Sequence, residues 1–170
     1  MSQALAIAQT RLLTPTGLST SDIDRTFSTL LASGADYGDL YFQHSRRESW
    51  SMEDGIVKDG AHAIEQGVGV RAINGEKTGF AYSGEIDAAA LLAAAGSARA
   101  ISRDGGAGGA QALTPRPSRQ LYASDDPIDA MGNEANVKAL RRVDTLLRSL
   151  DPRVQQVMVS LSAAVDTVLV

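Results

Sequence analysis

Apolar positions recur along this chain with two different periods, and the changes of period divide it. Over residues 2–13, Leu5, Ala8, Leu12 and Leu13 stand near helical spacing, and Thr14-Pro15-Thr16-Gly17 breaks the pattern. A second helix is predicted next. Ser19, Thr20 and Ser21 offer N-cap oxygens, and Asp22 and Asp24 suit the positive end of a helix dipole. Ile23, Phe27, Leu30 and Leu31 then fall at i, i+4, i+7 and i+8, one face of a helix that Ser33-Gly34 ends. From Asp36 the period drops to two. Leu40 and Phe42 alternate with Tyr41 and Gln43, and Trp50 and Met52 with Ser49, Ser51 and Glu53. Asp54-Gly55 marks a turn or bulge, Ile56-Val57 resumes an apolar strand, Lys58-Asp59-Gly60 marks a further irregularity, and residues 67–73 form another strand. Asn74-Gly75 is a strong hairpin signal, because both central residues of a type I′ turn need positive φ, and residues 78–82 make the return strand.

Helical spacing returns after Ser83-Gly84. Asp87 is placed to cap a helix running to about Ser102, with Leu91, Ala95, Ala98 and Ile101 on one face. Its alanines favour helix and permit a close approach to the sheet, where Val68, Val70, Phe80 and Tyr82 need a cover. Residues 104–127 lose all periodicity. Five residues from Gly105 to Gly109, then Pro115, Pro117 and Pro127, make a connection of a length uncommon inside one compact domain. A last helix is predicted from about Asn133 to Leu150, with Val137, Leu140, Val143, Leu147 and Leu150 inward, stopped by Asp151-Pro152. Val154, Val157 and Val159 begin a strand, and residues 165–170 form its partner. The pattern therefore predicts an α+β fold: an antiparallel hairpin sheet packed with helices, followed by a helix and the start of a second β segment. The expected organisation is an N-terminal α/β domain over 1–103, a Gly/Pro-rich linker over 104–127 and the start of a middle domain over 128–170. Ending on Val168-Leu169-Val170 would leave an open β edge, so the chain reads as truncated and 154–170 as its least stable part.

Composition narrows the function classes. At 44% hydrophobic and 21% charged residues the chain can build a core, so wholesale disorder is ruled out. Sixteen Lys+Arg against 20 Asp+Glu leave a net charge of −4, which argues against a general nucleic-acid binder. The absence of cysteine removes disulfides, thiolate metal sites and a cysteine nucleophile, and it fits a cytoplasmic protein. No basic segment followed by an apolar stretch suggests a signal peptide, and no apolar run approaches the roughly 20 residues that span a bilayer.

Candidate chemistry is sparse. His44 and Glu48 are four apart but lie on strands, where they cannot form a helical ligand pair, and His62 sits among Ala61, Ala63 and Ile64. Glu48, Glu53, Asp54 and Asp59 cluster in sequence. Paired acids can share acid and base roles if one is desolvated, but turn positions and a solvated strand face account for them more simply. Ser97 follows Gly96 within a helix and has no nearby base. Gly67-Val68-Gly69 lacks the third glycine of a dinucleotide loop, and Gly105 to Gly109 is not followed by Gly-Lys-Ser/Thr. Arg46-Arg47 and Arg141-Arg142 are basic pairs, the second on the solvated side of its helix. The residues thus predict no catalytic, cofactor-binding or metal-ligating position in this chain.

One likeness runs through the strand region. Asp36-Tyr37-Gly38-Asp39-Leu40-Tyr41-Phe42-Gln43, Glu48-Ser49-Trp50, residues 53–60 and above all residues 66–82 resemble the N-terminal region of the TldD/PmbA (TldE) family of zinc metallopeptidases. Leu140-Arg141-Arg142-Val143-Asp144 and Val154-Gln155 continue the likeness, which covers most of the chain from Ala35 and is weakest in the Gly/Pro segment. The family's His-Glu-x-x-x-His helix and its downstream ligand have no counterpart here, so zinc is implied for the full-length form and no cofactor for this chain. The resemblance further implies a cytoplasmic protein that pairs with a PmbA/TldE-like, metal-free partner subunit and cleaves short unfolded peptides. The present region would wall the chamber leading to the metal and grip extended peptide by backbone pairing. An alternative is a peptide- or protein-binding module of a non-catalytic PmbA/TldE-like subunit or a stand-alone fragment. An independent small-ligand domain is the third reading.

Overall fold

The computed structural model describes residues 3–32, 34–102 and 125–170. Two helices, α1 (Gln3–Leu12) and α2 (Thr20–Leu31), precede three strands, β1 (Tyr37–Glu53), β2 (Ile56–Asn74) and β3 (Lys77–Ser83). Helices α3 (Ala88–Ser102), α4 (Pro127–Ala130) and α5 (Asn133–Leu150) follow, and β4 (Met158–Leu169) is last. The strands form one four-stranded sheet in the order β3-β2-β1-β4, an antiparallel α+β arrangement packed with helices, as the sequence predicts. The described residues fall into two compact units: 3–44, 65–102 and 167–170 in the first, and 45–64 and 125–166 in the second. β1 and β2 each give one half to either unit. No helix among the described residues is long and apolar enough to cross a membrane.

In the first unit, Ser19 starts α2 with a capping box: its Oγ accepts from Asp22 N at 3.3 Å, and its own N–H donates to Asp22 Oδ2 at 2.9 Å. Leu30 and Thr26 are buried on α2, and Ile23, Phe27 and Leu31 pack against the core. That core joins Leu40 and Phe42 of β1, Val68, Val70 and Ala72 of β2, and Leu91, Ala94, Ala95 and Ala98 of α3. Asp87 Oδ1 caps α3 by accepting from Ala90 N at 2.7 Å.

Several expectations are corrected here. Lys58-Asp59-Gly60 does not interrupt the chain; β2 continues through it as one strand of 19 residues. The second hairpin turns on Gly75-Glu76, with Asn74 paired to Lys77, so Asn74 belongs to the strand. Gly75 alone takes positive φ there, +58°, a type II′ requirement; both central residues are positive instead at Asp54-Gly55, +50° and +76°. Phe80 and Tyr82, expected under α3, are 55% and 80% exposed. α3 comes so close to β3 that Gly79 is buried beneath it, and only the small set Gly79, Ala81 and Ser83 fits that face. Phe80 takes the other face, its ring against Gly69. Ile101 is likewise exposed and Ser102 buried, because the inward stripe of α3 runs 91, 94/95, 98, 102.

In the second unit, α5 buries Asn136, Leu140 and Asp144, while Val143, Leu147 and Leu150, expected inward, are exposed. The C-terminal residues make one strand of 12 residues rather than two. β4 lies antiparallel beside β1, with Ser45 Oγ hydrogen-bonded to Asp166 and Asp54 N donating to Val157 O at 3.0 Å. The expected pairing of a strand from Val154 with residues 165–170 is therefore corrected: residues 158–169 are one strand, and its partner is β1. A strand as long as β1 offers a ladder along the whole of β4. Of the expected 104–127 connection, residues 104–124 lie outside the described residues, and Pro127 stands at the start of α4.

Ala95 is wholly buried where α3 meets α2 and β3. Ala95→Trp is expected to lower the urea midpoint by an amount equivalent to about 1–3 kcal/mol, since the indole has no space to enter. An unchanged midpoint would show this face open.

Candidate functional site

The polar side chains singled out in the sequence converge most densely in the second unit. β1 exposes its alternate residues to two different surroundings. On one face Arg46, Glu48 and Trp50 meet α4 and α5. Asp126 begins α4, its Oδ1 accepting from Ile128 N at 3.1 Å and Asp129 N at 3.3 Å. Arg46 then clasps that turn, with Nη2 to Asp129 Oδ1 at 2.6 Å and Nη1 to Asp126 Oδ2 at 3.4 Å. The hydrogen bond to Asp129 is the main cause of a raised Arg46 pKa, with the charge of Asp126 adding to it. Glu48 Oε1 accepts from Asn136 Nδ2 at 2.9 Å and from the Trp50 indole N–H. The simpler expectation for Glu48, a solvated strand face, is thereby corrected: it is a half-buried acceptor for two donors. A small cavity of about 160 Å³ lies among Glu48, Trp50, Ile128, Met131, Asn136 and Leu161. The Trp50 ring also lies against Gly60 of β2, where a Cβ would meet it at 2.9 Å.

A larger cavity, about 400 Å³, has no helix residue in its wall; Arg47, Ser49, Ala61, Ala63, Ser162 and Ala164 contribute. Arg46 and Arg47, adjacent in sequence, thus serve different surroundings. Apart from Arg47 and Glu48 the walls are small and uncharged, which suits an inserted side chain.

Asp54 closes the β1–β2 turn. Its Oδ1 accepts from Val157 N at 3.0 Å and from Arg148, whose Nε reaches Asp144 at 3.3 Å and whose Nη1 reaches Gln155 O at 3.1 Å. The Val157 N–H, and then Arg148, hold the Asp54 carboxyl below the usual carboxylate range. A lowered pKa contributes stability above the unfolded value, near 4, and that contribution is lost as pH falls through the folded value. Asp54→Asn keeps the left-handed turn and the Val157 acceptor but removes the titrating charge. Its stability should therefore change less with pH below about 4 than that of the parent chain, as followed by thermal denaturation. Equal acid slopes would refute the linkage.

The remaining candidates stay apart. His44 Nδ1 is buried without a hydrogen-bond partner, while His62 and Asp59 are exposed on β2. Glu53 accepts from Gln156 Nε2 at 2.7 Å and lies 3.8 Å from Lys58 Nζ. Ser97 Oγ donates to Ala93 O at 3.0 Å, and Arg141 and Arg142 face solvent. Gly67 and Gly69 serve strand packing, a Cβ at Gly67 being 2.7 Å from Ser83 O. Among the described residues no group of three or more His, Asp or Glu is placed to hold a metal ion. Sequence reasoning missed Asn136, Asp144 and Arg148. The signal was present, as a polar stripe at i, i+4, i+8 and i+12 with Leu140 in it.

Comparison with known proteins places this architecture. Residues 38–102 match the family described as PmbA/TldA metallopeptidase domain 1. A metalloprotease TldD homolog of Haemophilus influenzae is 40% identical over 161 residues, covering 94% of this chain and 33% of that protein. A metalloprotease TldD homolog of Buchnera aphidicola is 35% identical over 159 residues, again covering 94% of this chain and 33% of the relative. The chain thus spans about a third of the length of these curated relatives. The crystal structure of TldE from Thermococcus kodakarensis shares the fold with a TM-score of 0.59 at 15% identity, covering 88% of this chain and 34% of that one. Through the strand region that carried the resemblance, the chain belongs to the TldD/PmbA family of metallopeptidases.

Proposed function

We propose that this chain is the N-terminal, non-catalytic part of a TldD-like zinc metallopeptidase that cleaves short unfolded peptides as a cytoplasmic, heteromeric assembly. In that reading it shapes the peptide-access chamber and supports assembly with a PmbA/TldE-like subunit, and none of its own residues is catalytic. The carrying observation is the 40% identity, over nearly all of this chain, to a protein called a metalloprotease TldD homolog. The donor set of the described residues does not fit zinc: the two histidines stand at separate places on β1 and β2, and no three ligands converge. No chemical step is therefore assigned to these residues. The alternative, a binding module of a PmbA/TldE-like subunit, draws on the TldE fold likeness, but the sequence identity favours the TldD side.

A chimera tests the reading. These 170 residues replace the matching third of the Haemophilus influenzae homolog, and peptide cleavage is assayed alone and with a TldE-like subunit. Cleavage with zinc retained is expected, and the 170 residues alone should bind no stoichiometric zinc and cleave nothing. A soluble, zinc-loaded chimera without activity, or one tightly bound zinc per isolated chain, would overturn it.

A further inference from the structure

The smaller cavity of the second unit, about 160 Å³, has chemistry that the peptidase reading leaves unused. An apolar cavity of roughly 150 Å³ accepts benzene, so this one suits a group of about five or six heavy atoms. Its floor and its mouth differ. Ile128 and Asn136 are buried, whereas Pro127, Met131 and Ser162 are exposed. Hydrogen bonding inside it is one-sided. Asn136 Nδ2 and the Trp50 indole N–H both donate to Glu48 Oε1. A carboxylate only accepts, so Nδ2 is the end of the Asn136 amide that faces Glu48, and Oδ1 is the other. Glu48 Oε2 and Asn136 Oδ1 receive no donor among the described residues. No lysine or arginine stands in this wall, and Arg46, two residues before Glu48, is engaged by Asp129 and Asp126. The N–H donors of the wall are thus taken while two acceptors and one negative charge stay open. Trp50 is part of the same wall, and an indole face attracts cations.

We propose that this cavity binds a primary alkylammonium group, its N–H donors on Glu48 Oε2 and Asn136 Oδ1 and its aliphatic part against Ile128, Leu161 and Met131. The site does not depend on the peptidase reading. Other occupants fit less well. A divalent metal takes about six or more oxygen ligands, and this wall holds one carboxylate. A water at the polar end takes about 30 Å³ and leaves the apolar remainder without contacts. An anion would meet Glu48 with no N–H left to receive it. An alkylammonium matches both parts, since it brings three N–H donors, a positive charge and a short apolar stem. A free amine and a lysine side chain entering through the mouth share this chemistry.

The test titrates the isotope-labelled 170-residue chain with n-butylammonium chloride at constant ionic strength, followed by amide correlation spectra. The chain has one tryptophan, so the Trp50 indole N–H signal is unambiguous, and it reports from the bond to Glu48. A saturable shift with a Kd below about 10 mM is expected. n-Butanol, of similar shape but uncharged, should bind about tenfold or more weaker, and butyrate should not bind. Glu48→Gln keeps a carbonyl acceptor for both donors and should bring butylammonium down to the level of butanol. Ala163→Leu, which narrows the cavity from β4, should abolish binding of both. Nα-acetyl-lysine methylamide separates the sources: binding equal to butylammonium gives the site to a lysine side chain, and binding of butylammonium alone gives it to a free amine. Equal binding of butanol and butylammonium would make this an apolar cavity only, and the absence of a saturable shift would leave it to water; either overturns the proposal. A shift undiminished in both variants would place the amine elsewhere and overturn it too. The ligand series on the parent chain decides the outcome even where a variant fails to fold.

Discussion

Gly79→Ala is expected to be the most damaging single-methyl change in the first unit. A Cβ at Gly79 would overlap the carbonyl oxygen of Ala98 and lie 2.9 Å from its carbon and 3.0 Å from Ser102 N. All three atoms belong to helix backbone, which cannot swing aside as a side chain can. Relief requires α3 to lift from β3, and that exposes Leu91, Ala95 and Ala98, each fully buried. The cost should reach about 3 kcal/mol, the upper part of the range for overpacking, against a total of roughly 5–15 kcal/mol for a domain. Urea denaturation followed by circular dichroism reads it directly. Phe80→Ala, one residue along on the exposed face, should cost far less. Equal midpoints for Gly79→Ala and the parent chain would show that α3 does not seat on β3 as described.

Asn136→Asp should have the next largest effect, and it should depend on pH. Asn136 is 6% exposed, and its amide donates to Glu48 Oε1 at 2.9 Å. The substitution replaces a donor by a second carboxylate at hydrogen-bond distance from the first. Repulsion and burial both disfavour two charges there, so one folded-state pKa rises above its unfolded value. The destabilisation, about 2–3 kcal/mol at neutral pH, should fade as pH falls and one proton comes to be shared. Asn136→Leu, which removes the donor without adding charge, should lose stability with no such recovery in acid. A penalty for Asn136→Asp that is the same at pH 5 and pH 8 would show that Glu48 and Asn136 do not meet.

The two substitutions lie at positions of different legibility. Around Gly79 the elements were readable, since alternation and a capping aspartate announce β3 and α3, while the facing was obscured. The turn signal Asn74-Gly75 placed the hairpin one residue early, but in either register Gly79 and Ala81, not Phe80 and Tyr82, share the face of Val68 and Val70, so alternation across the hairpin already held the facing that aromatic composition obscured. Large aromatic residues also look like core residues by composition, yet Phe80 and Tyr82 are excluded because α3 approaches too closely to admit them. On α5 the apolar pattern pointed inward with Val143 and Leu147. The buried stripe is instead the one whose polar ends find partners, Asn136 at Glu48 and Asp144 at Arg148. Asp144 and Arg148 stand one helix turn apart and are readable as an i, i+4 pair, but the pairing of Asn136 with Glu48, 88 residues away, leaves no local trace in composition or period.

The sequence by itself determined what local physics determines: where helices and strands lie, the caps at Ser19 and Asp87, the turn at Asp54-Gly55, and the α+β class. Its 66–82 block also carried the family likeness. Only the tertiary structure decided which face of α5 is inward, that residues 158–169 make one strand on β1, and that β2 runs unbroken through Lys58-Asp59-Gly60. Local preferences act over a few residues, at fractions of a kcal/mol each. Facing and strand order are settled by how closely distant backbones can approach and by which buried polar groups find partners, and those constraints exist only once the chain has closed on itself.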